Sequence, residues 1–75
     1  MGQLKFEGEY LNGKRNGKGK EYNNDGQLIF EGEYLNGVRN GKGKEYINGE
    51  LVFEGEYIND EINPWKEEEY YIINF

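Results

Sequence analysis

Apolar or glycine positions alternate with charged positions in several short stretches of the chain. FEGEYL at residues 6–11 begins with an aromatic residue and then alternates glutamate with glycine or tyrosine. This period of two is typical of a β-strand whose two faces differ in chemistry. The segments NGKRNG, NNDG and ING between such stretches are rich in Asn and Gly, so we interpret them as turns. No helical period is evident in residues 1–59.

The alternating pattern belongs to an internal repeat. Residues 6–29 and 30–52 are two copies that match almost residue for residue until one residue is lost near the second turn. A third copy opens as FEGEYIND at residue 53 and then degenerates, so only residues 53–59 are assigned to it. Each copy reads as strand, turn, strand, turn, so residues 1–59 are predicted to form a single antiparallel meander of consecutive β-hairpins. The predicted fold is all-β, with residues 60–75 as a degenerate C-terminal cap.

Opposite charges suggest how the strands pair. A register that sets Lys18 and Lys20 against glutamates gains a few tenths of a kcal/mol for each cross-strand pair. It also gathers most rings and glycines on the other face, although it leaves Glu21 among the rings. The predicted pairs are Tyr10 with Gly19, Leu11 with Lys18, Glu9 with Lys20, Glu21 with Phe30, Lys20 with Glu31, Gly19 with Gly32, Lys18 with Glu33, Tyr34 with Gly43, Asn23 with Leu28, Ile47 with Leu51 and Glu45 with Phe53.

The repeated unit FEGEYLNGKRNGKGKEY resembles the MORN repeat, especially the variant found in bacterial antitoxin-like arrays. The resemblance covers residues 6 to about 59 and rests on regularly spaced glycines and aromatic residues. It implies consecutive hairpins in one elongated antiparallel sheet that binds proteins, with lipid binding also proposed for the family. Asp60 and Pro64 stand where the earlier copies have glycine, so the resemblance is not carried over to residues 60–75.

The aromatic face raises the question of what covers it. One sheet is a single layer, whereas stable domains are built from at least two. The cover could be the C-terminal segment, a second copy of the chain or a partner. We predict a homodimer, or a tail folded over the rings, because a bare face would exceed the apolar patch usual on soluble monomers. The predicted self-association residues are Phe6, Tyr10, Phe30, Tyr34, Phe53 and Tyr57.

The net charge of −6 lies entirely in the last third of the chain. Residues up to 52 carry eight basic and eight acidic side chains, whereas residues 53–75 carry seven acids and Lys66 alone. Continuing the sheet register would set Glu67 and Glu69 opposite other glutamates, so Asn63-Pro64 could instead begin a short helix. Both a strand and a helix remain open here. The predicted partner-binding residues are Asp60, Glu61, Trp65, Glu67, Glu68, Glu69, Tyr70 and Tyr71.

Several classes of chemistry are disfavoured by composition. The chain has no Cys, His, Ser or Thr, so it lacks disulfides, ordinary zinc ligands and the commonest catalytic nucleophiles. We therefore expect no enzyme, no metal and no cofactor. Direct nucleic-acid binding and anionic membranes are disfavoured by the missing net positive footprint. No signal peptide or spanning segment is evident, so we expect a cytoplasmic protein.

The favoured function is a non-catalytic protein-binding module whose acidic C-terminal third docks on a basic protein surface. Nucleases and other nucleic-acid-handling proteins present such surfaces. An antitoxin, an immunity protein or an anti-CRISPR inhibitor would fit this description. The alternative is a structural scaffold module that self-associates through its sheet.

Overall fold

The protein forms one open antiparallel sheet, as the repeat predicts. The computed structural model describes residues 5–64 and 71–72. The strands run in sequence order through the sheet, and the last one pairs with β5 beside β6. They are β1 Lys5–Leu11, β2 Lys14–Tyr22, β3 Leu28–Leu35, β4 Val38–Ile47, β5 Glu50–Ile58, β6 Glu61–Ile62 and β7 Tyr71–Ile72. No helix occurs among the described residues, so this part of the chain contains none that is long and apolar enough to cross a membrane.

The pairing between repeats follows the predicted register. Strand β2 meets β3 with Gly19 opposite Gly32, and the flanking lysines of β2 lie opposite the glutamates of β3. Glu21 lies opposite Phe30, and Glu45 lies opposite Phe53 in the next copy. The one-residue deletion therefore leaves the inter-repeat register unchanged, as predicted.

The predicted pairing within each hairpin is wrong. Tyr10 lies opposite Arg15 rather than Gly19, and Tyr34 lies opposite Arg39 rather than Gly43. The pairs of Leu11 with Lys18 and Glu9 with Lys20 are wrong for the same reason. The turns are shorter than predicted: in the second hairpin only Asn36 and Gly37, with φ of 51° and 92°, separate the strands. Positive φ at both central residues fits a type I′ turn, whose twist matches that of paired strands.

The residues released by the shorter turn form a bulge in β4. Between the pairs Gly32 with Gly43 and Tyr34 with Arg39, Glu33 alone faces three residues of β4. The Glu33 carboxylate fills this gap and accepts a hydrogen bond from the Lys42 backbone N–H at 2.9 Å. Gly41 lies in the bulge at φ 111°, a conformation that side chains rarely tolerate. Glu33 and Lys42 stay on the charged face, away from Tyr34, so the predicted separation of faces holds.

The turns that join one repeat to the next also shift by one residue. Leu28 lies opposite Tyr22 and Leu51 opposite Tyr46, after a bulge next to Glu21 and Glu45. The predicted pairs of Asn23 with Leu28 and Ile47 with Leu51 are therefore wrong. In the first copy, the Asn23 side chain accepts hydrogen bonds from the Asp25 and Gln27 backbone amides. These bonds stabilise a turn in which Tyr22, rather than Asn23, lies opposite Leu28.

The core is a zipper of aromatic rings along one face of the sheet. Phe30 is fully buried, and Tyr34, Phe53 and Tyr57 are nearly so. Edge-to-face contacts link the rings within and between repeats, with centroids 5.1 Å apart for Phe6 and Tyr34 and 5.3 Å for Phe30 and Tyr57. Glycines beneath the rings let them lie against the backbone. Each interior tyrosine is thus buried by the phenylalanine of the preceding repeat.

Candidate functional site

Two arginines cover the aromatic face. The Arg39 guanidinium lies 3.9 Å from the Phe30 ring centroid, and Arg15 lies 4.2 Å from the centroid of Phe6. Arginine is planar and weakly hydrated, so it stacks on rings while its N–H groups stay available for acceptors. The cover that a one-layer sheet requires therefore comes partly from within the chain.

Arg39 also joins two repeats through a carboxylate clamp. Its Nε and Nη2 donate to the two oxygens of Glu21 at 3.1 Å each, a fork-like pairing. The Tyr34 hydroxyl donates to the same Glu21 carboxylate. We call Glu21, Tyr34 and Arg39 the inter-repeat clamp. It explains why a glutamate can lie among rings.

The clamp shifts the ionisation of its members. Burial raises the pKa of Glu21, but hydrogen bonds from Arg39 and Tyr34 and the charges of the arginines outweigh burial, so the pKa lies below its ordinary value. Burial and the bond to Glu21 raise the pKa of Tyr34. The carboxylate is therefore held ionised and the phenol neutral near pH 7. These shifts therefore accompany a hydrogen-bonded network that joins two repeats.

The opposite face of the sheet carries a shallow groove. Its floor is formed by Gly19, Gly32 and Gly43, and charged side chains of alternating sign line its walls. Lys20 lies between Glu7 and Glu31 across the strands, which corrects the predicted neighbour Glu9. The paired charges leave the groove without a dominant sign. Among the described residues, no cluster of acidic side chains has a metal-binding arrangement.

The match of the repeat to a family model decides what kind of protein this is. The model for the MORN repeat matches residues 6–28 and 30–50, together more than half of the chain. The chain belongs to the MORN-repeat family. No curated protein and no solved structure matches it. MORN repeats are generally protein- or membrane-binding or structural modules and are not catalytic.

Each MORN repeat of this chain also locks onto the turn of the next. The Asn16 side chain accepts a bond from the Asn36 backbone N–H at 3.2 Å, and the Arg15 carbonyl accepts one from Gly37 at 2.8 Å. Asn40 and Arg39 hold the turn at Asn59 in the same way. The segment predicted as one long turn, NGKRNG, is therefore a short turn followed by an element that docks on the neighbouring repeat.

The predicted partner-binding residues have different positions. Asp60 lies in the last turn, where its carboxylate accepts a bond from the Arg39 backbone N–H at 2.7 Å, so it has a structural role. Glu61 is exposed in β6. The backbone of Tyr71 pairs with Glu54, so Tyr71 belongs to a strand. The remaining residues of this set, Trp65, Glu67, Glu68, Glu69 and Tyr70, lie outside the described residues.

The predicted self-association residues are mostly interior. Phe30, Tyr34, Phe53 and Tyr57 are buried within the single chain, and Phe6 is half-buried. Tyr10 alone among them is exposed, together with Leu11 on the same strand. Any contact with a second copy through this set would therefore use β1 rather than the whole ring face.

Sequence reasoning missed Arg15, Arg39 and Glu21 as a working set. The Gly and Asn residues around the arginines predict a turn. One signal was present: each arginine recurs at the same repeat position, and each copy also keeps one glutamate on the ring side of the register. A repeated opposite-charge pair on an apolar face indicates a buried ion pair, since an isolated buried charge is costly.

Proposed function

We propose that this MORN-repeat chain is a non-catalytic protein-binding module whose acidic C-terminal third docks on a basic surface of a partner protein. The observation that carries the proposal is the position of the net charge. Residues 53–75 hold all of the excess acid, whereas residues 1–52 carry equal numbers of basic and acidic side chains. A charge excess confined to one end of a small protein favours an oriented encounter with a surface of opposite sign.

The pairing of charges in the repeats supports this proposal. Lys20 and Lys44 each lie opposite a glutamate on both neighbouring strands. By contrast, Glu61 in the acidic third is exposed, and its cross-strand neighbour among the described residues is the apolar Ile58. The lysines of the repeats are thus used in cross-strand pairs, whereas the Glu61 carboxylate at the C-terminal end is accessible to a partner.

A nucleic-acid-handling protein is the partner class that this chemistry fits. Such proteins hold clusters of Lys and Arg for phosphate groups, and an acidic surface can occupy those clusters. The chain would then act as an inhibitor of antitoxin, immunity or anti-CRISPR type. Aromatic residues of the same segment, Trp65, Tyr70 and Tyr71, supply the side chains that most often anchor protein interfaces.

Charge reversal tests the proposal. The partner is captured from source cells, identified and purified, and its binding is measured at low and high salt. Glu68→Lys with Glu69→Lys should weaken binding by about tenfold or more at low salt, mainly by slowing association. The control, Asp25→Lys with Glu50→Lys, makes the same charge change at two exposed positions, one in a turn and one at the start of β5, and should have a smaller effect. Equal affinities for the two double variants at low salt would refute docking through the acidic third.

A self-associating scaffold is the second candidate, and exposed apolar side chains on β1 favour it. Tyr10 and Leu11 are both exposed at the edge of the sheet. A scaffold of this kind should form concentration-dependent oligomers without any partner. Leu11→Lys should then abolish assembly in sedimentation experiments, whereas the acidic charge reversal should have little effect on it.

A further inference from the structure

One five-residue sequence occurs three times, and two of its copies have the same partner. FEGEY occupies residues 6–10, 30–34 and 53–57, and GKGKE occupies residues 17–21 and 41–45. The second FEGEY pairs antiparallel with the first GKGKE, and the third FEGEY pairs with the second GKGKE in the same register. The same pairing of an FEGEY strand with a GKGKE strand therefore occurs twice in the sheet.

The first FEGEY has no such partner among the described residues. Strand β1 pairs with β2 alone, through the edge that β3 uses for β4. Its other edge is equivalent to the one through which β3 binds residues 17–21. The consequence is visible at the tyrosines: Tyr10 is 58% exposed, whereas Tyr34 is 4% exposed and Tyr57 is 2% exposed.

The carboxylate-binding half of a clamp is also present at this edge. Arg39 uses Nε and Nη2 for Glu21 of the preceding repeat and approaches Glu45 of its own repeat through Nη1 at 3.9 Å. Arg15 keeps the second contact, with its Nη1 3.8 Å from Glu21. By the equivalence of the repeats, Arg15 and Tyr10 correspond to Arg39 and Tyr34, which together bind the Glu21 carboxylate. A carboxylate is the ligand that this pair of donors holds elsewhere in the chain.

The first turn offers two backbone donors in the same place. In the second hairpin, the amides of Asn36 and Gly37 donate to the Asn16 side chain and to the Arg15 carbonyl. Asn12 and Gly13 form the equivalent turn of the first hairpin, with φ of 52° and 80°. The edge therefore presents amides, a phenol and a guanidinium in the arrangement that RNGKGKE satisfies inside the protein.

We propose that the free edge of β1 binds an extended strand of a partner protein by strand addition, with lysine at alternate positions, small residues between them and a following glutamate. The lysines would lie opposite Glu7 and Glu9, as Lys20 and Lys18 lie opposite Glu31 and Glu33. The partner's glutamate would bind Tyr10 and Arg15. Main-chain hydrogen bonds supply affinity in this mode and side chains supply selectivity.

The strand belongs to a partner rather than to a second folded copy. Both GKGKE strands of this chain lie inside the sheet and are paired on both edges. Two β1 strands also fit each other poorly, because pairing FEGEY antiparallel with itself about either Gly8 or Glu7 sets glutamates opposite each other. The site lies at the other end of the sheet from the acidic third, so it stands independently of the proposed function.

A peptide taken from the chain tests this proposal. The probe is a capped synthetic peptide with the sequence of residues 39–46, RNGKGKEY, titrated into the isotope-labelled 75-residue protein and followed by NMR. Shifts should concentrate at residues 6–13 and Arg15. Replacing both lysines of the peptide by glutamate should abolish binding. Tyr10→Phe should weaken binding by about tenfold, because it removes a hydrogen bond to a charged acceptor.

Controls separate this site from nonspecific contact. Tyr46→Phe removes a hydroxyl far from β1 and should bind the peptide as tightly as the unaltered protein. Tyr10 is exposed, so Tyr10→Phe should retain the fold, which its spectrum verifies. The proposal is overturned by an absence of shifts in β1 at millimolar peptide, by equal binding of the lysine-to-glutamate peptide, or by equal affinities of the two variants. Shifts in β1 that grow with protein concentration alone would assign the edge to a second copy and would also overturn it.

Discussion

Replacing Glu21 by glutamine probes the inter-repeat clamp with a minimal change of shape. The Glu21 side chain is 11% exposed and accepts bonds from both Arg39 and Tyr34. The equivalent Glu45 accepts a bond from Tyr57, but its side chain is 37% exposed and its contact with Arg39 is long, at 3.9 Å. Glu21→Gln and Glu45→Gln are therefore chemically identical changes in different environments.

The expected magnitude follows from what each change leaves behind. Glu21→Gln removes the charge that a half-buried Arg39 faces and replaces one acceptor oxygen of the fork by an amide donor. Breaking a fully buried ion pair costs about 3–5 kcal/mol, and the remaining exposure of Arg39 reduces this to about 2–3 kcal/mol. Glu45→Gln should cost about 1 kcal/mol or less, since exposed pairs contribute little.

Equilibrium urea denaturation followed by far-ultraviolet circular dichroism measures both effects. A 75-residue domain typically has about 4–11 kcal/mol of stability, so the larger loss should be plain in the midpoint. The double variant with Glu21→Gln and Arg39→Met should lose less free energy of unfolding than the sum of the losses in the two single variants. Equal destabilisation by Glu21→Gln and Glu45→Gln, or strict additivity with Arg39→Met, would refute the clamp as a main contact between repeats.

Three further measurements test the packing and the electrostatics of the ring face. A Cβ added at Gly43 would lie 2.6 Å from Phe30 Cζ, whereas a Cβ at Gly49 would meet nothing within 4 Å. Gly43→Ala should therefore lower the thermal midpoint more than Gly49→Ala. The cost of Gly49→Ala is confined to about 1 kcal/mol, which arises from its positive φ. Because the folded pKa of Glu21 is lowered, its contribution to stability is present above its ordinary pKa and is lost as the pH falls through the folded value; pH-dependent denaturation should show a shallower acid limb in Glu21→Gln. Because the pKa of Tyr34 is raised, its contribution to the free energy of unfolding is present below pH 10 and is lost at higher pH. Tyr34→Phe should therefore reduce the loss of stability at alkaline pH. An unchanged loss would contradict the hydrogen bond assigned to Tyr34.

The fold was predictable because the repeat states the same rule more than once. Alternation in FEGEY and opposite charges in GKGKE fix both the strands and their pairing between repeats, since a slip of one residue would exchange the faces. Pairing within the hairpins was not predictable from charge alone. There the Asn36-Gly37 turn and the Glu33 bulge decide the register, and both depend on backbone geometry that a charge pattern does not encode.

The binding surfaces were less accessible to sequence reasoning. The sequence alone predicts an uncovered ring face, because the stacking of arginine on phenylalanine depends on the two-residue turn that precedes Arg39. The sequence does not distinguish β1 from the equivalent strands, because FEGEY is identical in all three copies. Its distinct character comes from what lies beside it in the sheet, which no local pattern records.

Amide hydrogen exchange on the dilute protein tests the central claim most directly, namely that one chain buries its own ring face through contacts between consecutive MORN repeats. The protein is first brought to a concentration at which sedimentation shows a monomer. The amides of residues 30–34 and 41–45 should then exchange slowly, at rates that do not change with protein concentration. Protection of these amides that appears only as dimers form would contradict the claim.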